Sequence, residues 1–269
     1  IMGSWQGKVV LVTGGSGGLG LAIGCAFSQA GATSVLLSRD EEKLRKACAL
    51  KSESNIELHW IQGDVTSDSS MEAVVRGTLE KHGRIDLLVN NVGKSTRVEL
   101  LNCTVEQYAK FMELNLYSAI RCTLATMDAL TATSGQVVNI GSLASKTGWP
   151  KVAPYAVSKH GLAAFSHQLR LEGPSNVNCL HVCPGPIRRD DSGTRYESQA
   201  EGMSDSVAQP GAGVKLKGID PDFLARRIVR YCEKRKSELI MPWHAKLLFS
   251  ITQLSPRLGD LLLKKSNRS

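Results

Sequence analysis

No part of the 269-residue sequence runs apolar for the roughly 18 residues that a membrane-crossing helix needs. No leader pattern precedes the first strand-like run either. Ile1 stands before Met2, so the start reads as trimmed or altered, and an upstream anchor stays open. Seven cysteines occur, at 25, 48, 103, 122, 179, 183 and 232, but the count is odd and no Cys-x-x-Cys pair exists. A zinc site or disulfide framework is disfavoured, and small buried thiols in a reducing, cytoplasmic setting are expected. The six histidines lack metal-ligand spacing, so no metal is expected. No internal repeat or low-complexity linker divides the chain. With 42 % hydrophobic and 22 % charged residues, 1–269 suits one large globular domain.

A general basic excess is also missing. The net charge is +8, yet residues 226–269 hold 11 Lys or Arg against 3 Asp or Glu, and the remainder holds 22 of each sign. The body therefore lacks the footprint of a nucleic-acid binder, and no nucleic acid is expected as partner.

What is present is a strand–helix rhythm. Short apolar runs at 8–13 (KVVLVT), 34–38, 56–61, 85–89, 136–140, 177–183 and 239–241 read as strands. Helical stretches are expected over 19–30, from about 40, up to about 83, over 104–132 and from 155. Strands apolar on both faces, alternating with helices, predict an α/β fold: a doubly wound, Rossmann-like parallel sheet in a single domain, its ligand crevice at the carboxyl ends of the strands. Residues 188–218 are polar and rich in Gly, Ser and Asp, and read as a substrate flap.

The first strand runs into Thr13-Gly14-Gly15-Ser16-Gly17-Gly18-Leu19-Gly20, which opens the first helix. A phosphate needs backbone N–H groups at close range, and glycines at 14, 17, 18 and 20 permit that approach. The second strand ends Leu37-Ser38-Arg39, without the acid that grips a ribose 2′-OH. Arg39, with Ser16 and Ser38, suits a 2′-phosphate, so NADP is expected as cofactor. The plainer reading of Arg39 is a surface guanidinium neutralised by Asp40.

Tyr155-x-x-x-Lys159 sits on one face of a predicted helix, where the ammonium can lower a phenol that ordinarily titrates near 10. Thr13-Gly14-x-x-x-Gly18-x-Gly20, Asn90-Asn91-Val92-Gly93, Asn115, Ser142, Tyr155-x-x-x-Lys159 and Pro184-Gly185 occur in the order and spacing of the short-chain dehydrogenases/reductases. Over about residues 7–187 the chain resembles that family, and more loosely its membrane-associated lipid and sphingoid-base ketoreductases.

The resemblance implies that Tyr155 is the general acid in reduction and the base in oxidation. Lys159 would lower the tyrosine and hold the nicotinamide ribose. Ser142 would hydrogen-bond the substrate oxygen, in preference to its neighbour Ser145, and Asn115 would support a proton-relay water. Asp64 and Val65 would meet the adenine, Asn91, Val92 and Gly93 the adenosine side, and Pro184, Gly185 and Ile187 the nicotinamide. Two departures stand out. Val92 replaces the usual alanine, and Arg189 occupies a position where the family often has a threonine that contacts the carboxamide.

An NADP-dependent oxidoreductase is therefore expected, acting on a lipophilic small-molecule carbonyl or alcohol. A silent NADP-binding regulator or scaffold is the alternative, but such a protein would be expected to lose part of the catalytic set. An epimerase ranks last. Homodimers or homotetramers would form through the two long helices. The segment 243–265 is apolar with basic punctuation, and a break at Pro256 is expected. It reads either as a helix packed on the body or a second subunit, or as a peripheral membrane contact with Phe249, Ile251, Leu254, Leu258 and 261–263 inward.

Overall fold

The computed structural model describes residues 4–188 and 216–268, with side chains to 263. Seven strands form one all-parallel sheet: β1 Val9–Thr13, β2 Thr33–Ser38, β3 His59–Gln62, β4 Leu87–Asn90, β5 Gln136–Ile140, β6 Asn178–Pro184 and β7 Glu238–Met241. Their order is β3-β2-β1-β4-β5-β6-β7, with the reversal of direction between β1 and β4. The helices are α1 Gly18–Gln29, α2 Glu41–Ser52, α3 Asp68–His82, α4 Val105–Met112, α5 Ser118–Ala132, α6 Ala153–Glu172, α7 Pro221–Glu233, α8 Ala245–Leu254 and α9 Pro256–Arg268. The doubly wound plan expected from the strand–helix rhythm is the observed one.

Alternation along each strand splits the core in two. Val10 and Val12 of β1 face one layer with Ile23, Phe27, Leu180 and Ile228. Val9 and Leu11 face the other with Met71, Leu88, Leu130 and Val137. All seven cysteines are free, and five are buried.

Local chemistry sets the element ends. Asp40 caps α2 by accepting from Lys43 N at 3.0 Å, and Ser67 caps α3. Gly83 closes α3 in the left-handed region at φ 76°. The third strand begins three residues later than expected. Asn55 adopts φ 57° and Ile56 N bonds back to Lys51 O, so 55–56 finish the preceding helix end, and sheet pairing starts with Val35 opposite His59.

Three further points concern helices. The stretch 104–132 is helical throughout as expected, but α4 and α5 flank a widened π-helical turn, Glu113–Tyr117, that no Pro or Gly announces. The tyrosine helix starts at Ala153, with Pro154 in its first turn. The C-terminal segment is two helices broken at Ser255, before Pro256, as expected. Phe249 turns into the body, whereas Leu254 is 86 % exposed and Leu261 65 %. The expected single inward face is thus divided. Of the flap expected over 188–218, residues 189–215 lie outside the described residues, Arg189 among them.

Candidate active site

The glycine turn joins β1 to α1 at the switch point. Gly14 and Gly18 have φ 65° and 53°, the region where a side chain is strained. Gly20 is required for contact: a Cβ there would stand 2.2 Å from the Gly14 carbonyl oxygen. At Gly17 and Gly18 the same atom would meet nothing within 4 Å, so the mouth of the turn is open. Gly17 caps α1 without a side-chain bond, and no acid stands in the first turn. Uncapped N–H donors beside open space form a cradle suited to a diphosphate.

Beside the cradle, Ser16 Oγ reaches Ser38 Oγ at 3.3 Å. Arg39, whose side chain is 71 % exposed, has Nη1 4.0 Å from an Asp64 carboxylate oxygen. Asp40 does not neutralise it, being committed to its cap and to Lys43 Nζ at 2.9 Å. Burial works to raise the Asp64 carboxyl. The backbone and hydroxyl bonds from Thr66, with the charges of Arg39 and Arg121, outweigh it and hold the group below its usual range. Asn91 braces the turn, its Nδ2 donating to Thr13 O at 3.0 Å and Gly14 O at 3.3 Å. Leu19 and Val65 bury their side chains in the two core layers, so only their backbones can face a ligand.

The second half of the site surrounds Lys159. This residue is 4 % exposed, its Nζ donates to Ile140 O at 2.7 Å, and it stands 5.9 Å from the Tyr155 ring centre. Burial pulls the ammonium down to about 8, with the nearby Cys183 thiol acting the other way. The widened turn carries Asn115, wholly buried, into the same place. Its Oδ1 accepts from Lys94 N at 2.8 Å, and its Nδ2 donates to Lys94 O at 3.0 Å and to Ser158 Oγ at 2.9 Å. Gly93 is pressed between them: a Cβ there would lie 3.2 Å from both Asn115 Oδ1 and Lys159 Nζ.

Ser142 begins a short 3-10 turn, Leu143–Ser145, just after β5. Its Oγ accepts from Ala144 N at 3.1 Å, which leaves the hydroxyl proton available. Ser145 is buried, and its Oγ accepts from Ser142 N at 3.1 Å. Gly185 N donates to Met241 O at 2.7 Å, placing the Pro184–Gly185 corner over Leu143, Leu216 and Met241. Ile187 pairs with Ile219 beyond that corner.

Two positions escaped the sequence reading. Thr13 Oγ1 donates to Val89 O and accepts from Asn91 N, tying the glycine turn to β4. Ser158 donates to Tyr155 O while accepting from Asn115. Its place inside Tyr-x-x-x-Lys was visible, but its partner became apparent only with the widened turn.

The chain is similar to several known proteins. The family described as short chain dehydrogenase matches residues 8–200. A dehydrogenase/reductase SDR family protein 7-like from Anopheles gambiae is 33 % identical over 97 % of this chain and 83 % of its own length. Ketoacyl reductase HetN from Nostoc is 30 % identical over 98 % and 90 %. The solved alcohol dehydrogenase from Thermococcus sibiricus, complexed with 5-hydroxy-NADP, superposes with a TM-score of 0.73 at 25 % identity, covering 87 % of this chain and 95 % of that one.

The depressed Lys159 makes this site a cost to stability, and the cost depends on pH. Below about pH 8 the folded state holds a buried charge; between about 8 and 10.5 the folded lysine is neutral while the unfolded one stays charged, so stability recovers as pH rises. Lys159→Met is expected to raise the urea midpoint at pH 7, with the lead shrinking over that window. A lead that stays constant across pH would contradict the buried charge.

Proposed function

The chain belongs to the short-chain dehydrogenase/reductase family, and from that premise we propose that it is an NADP(H)-dependent ketoreductase or alcohol dehydrogenase acting on a lipophilic carbonyl or secondary alcohol. The observation that carries this reading is the buried Lys159 ammonium beside Tyr155, with Ser142 and Asn115 on adjoining elements.

In reduction Tyr155 gives its phenolic proton to the substrate oxygen, and in oxidation the phenolate takes one back. Lys159 steadies the phenolate by charge. Ser142, its lone pair held by Ala144 N, turns its proton toward the substrate oxygen and stabilises the charge that develops there. Asn115 locks the Lys94 loop and α6 together, so that Lys159 and Tyr155 keep their spacing. The nicotinamide, when bound, supplies or accepts the hydride. The glycine cradle would hold its diphosphate, with Asp64 and Val65 at the adenine and Pro184, Gly185 and Ile187 at the nicotinamide end.

Arg39, with Ser16 and Ser38, would hold the 2′-phosphate. The NADP analogue bound by the Thermococcus relative supports the same cofactor. The apolar company of Tyr155 and Gly185, namely Trp149, Val152, Leu143 and Leu216, supports a lipophilic substrate, as does the name of the ketoacyl reductase relative. Arg39→Asp is expected to weaken NADPH binding about tenfold or more while sparing NADH. Nicotinamide fluorescence reads the binding, and Tyr155→Phe should abolish ketone reduction without moving it. Equal NADPH affinity in Arg39→Asp would remove the 2′-phosphate assignment.

Outward-facing side chains suggest assembly. Tyr117 and Leu124 on or near α5, and Val157 and Leu171 on α6, are 46–66 % exposed. A homodimer or homotetramer through these helices is the reading they support. Light scattering of Leu124→Glu/Val157→Glu should show a smaller particle than the native protein; a monomeric native protein would refute it.

The C-terminal helices carry exposed Trp243, Leu247, Leu254 and Leu261 in the stretch where the basic excess is concentrated. No helix among the described residues is long and apolar enough to cross a membrane. A peripheral contact with anionic lipid fits that combination. Co-sedimentation with phosphatidylserine vesicles, reversed by salt and weakened by Trp243→Ser/Leu247→Ser, is the expected result. No co-sedimentation at low salt would exclude it.

A further inference from the structure

Behind the active-site turn lies a second cavity, about 380 Å³, between α6, the β6–β7 edge and α8. Its chemistry-bearing walls are Lys146, His160, His167, Arg170, His181 and Glu238. Glu238 is the single acid among them, and Lys146 takes it up at 2.5 Å. Arg170 and His167, exposed on α6 one turn apart, then face the cavity without a neutralising carboxylate among its walls. His160 spends Nδ1 on Ala156 O at 2.9 Å, which leaves its Nε2 for other contacts.

The floor is more specific. His181 is 2 % exposed, and its Nε2 is buried with no hydrogen-bond partner. Its tautomer follows from its neighbours. Ser166 Oγ donates its one proton to Leu162 O at 2.7 Å and accepts from Asn139 Nδ2 at 2.9 Å. The remaining contact, to His181 Nδ1 at 3.1 Å, must therefore be donated by the imidazole. Nε2 is then a bare lone pair. Burial, reinforced by the charges of Lys146, Lys159 and Arg170, pushes the ring down to about 3, so it stays neutral and cannot become a donor near neutral pH. A lone pair in that place is costly unless an O–H or N–H is brought to it.

The Arg170 cation with its imidazole neighbours, set over a bare acceptor, selects an anion that keeps a proton. We propose that this cavity binds hydrogen phosphate, with charged oxygens toward Arg170 and His167 and the P–OH donating to His181 Nε2. Ser145 is shared between this cavity and the turn that carries Ser142, so the two sites touch through one residue.

Calorimetric titration with inorganic phosphate at constant ionic strength tests the proposal in native protein and in Arg39→Asp. The second arm tells a phosphate held by Arg39 from one in this cavity, the Arg170 and His167 variant below tells one at the glycine cradle, and both hold whether or not the reductase reading does. Saturable one-to-one binding is expected in both. Arg170→Gln/His167→Gln, two exposed positions that leave the core intact, should weaken it about tenfold or more. Sulfate, equal in charge but without a proton, should bind at least about fivefold more weakly, because it cannot satisfy Nε2. Unsaturable heat in the native protein, binding lost in Arg39→Asp, binding kept in Arg170→Gln/His167→Gln, or equal sulfate affinity would each overturn it.

Discussion

A cation stripped of water has to find other oxygen atoms, and the arrangement around Lys159 is organised by that requirement. Ile140 O takes the ammonium at 2.7 Å. The place is made by three elements that are distant in sequence: the loop after β4, the widened turn between α4 and α5, and the first turns of α6. Asn115 binds the first of these through both its oxygen and its nitrogen, and reaches the third through Ser158. Gly93 keeps the approach open, since any Cβ would press on both Asn115 and the ammonium. The same burial that lowers Lys159 to about 8 keeps its charge from being screened by water, 5.9 Å from the Tyr155 ring centre. The use proposed for the charge and its cost to folding come from one cause.

The sheet supplies rigidity where this site needs it. Asn90 at the end of β4 donates to Asn139 on β5 at 2.9 Å and to Thr123 on α5 at 3.0 Å. Asn139 passes the chain to Ser166 on α6, and Ser166 receives His181 of β6. Five elements are thus joined by a buried polar line immediately beneath the Ser142 turn. Each such bond contributes only about 1 kcal/mol net, but breaking one leaves a buried group unsatisfied at a larger cost. The line therefore fixes relative placement more than it adds stability. Parallel strands end together at this edge, so the cradle at β1 and β2 and the chemistry at β4 to β6 share one rim.

Much of this was legible from residue order. Short apolar runs marked every strand, and the motif spacing placed the cradle, Ser142, Tyr155 and Lys159 on the elements where they are found. Three features were not legible, each for a physical reason. The widened turn at Glu113–Tyr117 consists of ordinary helix formers, and one extra residue per turn leaves no compositional mark. The start of β3 depended on Asn55 adopting a left-handed conformation, which competes with strand pairing only in three dimensions. His181 looked like any apolar-strand residue with a polar side chain. Its single-ended hydrogen bonding could be known only once Ser166 and Asn139 were beside it.

The two cations of the site behave in opposite ways, and the difference explains how one site can combine a fixed reaction centre with a selective rim. Lys159 is enclosed and immobile. Arg39 is 71 % exposed, with its nearest acid at 4.0 Å, and an exposed pair of that kind contributes about 0–1 kcal/mol. Asp64 is itself occupied by two bonds from Thr66, which hold its carboxylate in place whether or not Arg39 is near. Little therefore opposes a turn of the guanidinium toward an incoming dianion, whose second charge outcompetes the single charge of Asp64. A neutral ribose hydroxyl offers no such gain and would leave Arg39 where it is. Under the proposed function, discrimination at the rim would come from the weakness of the contact that Arg39 gives up, and fidelity at the centre from the strength of those that hold Lys159.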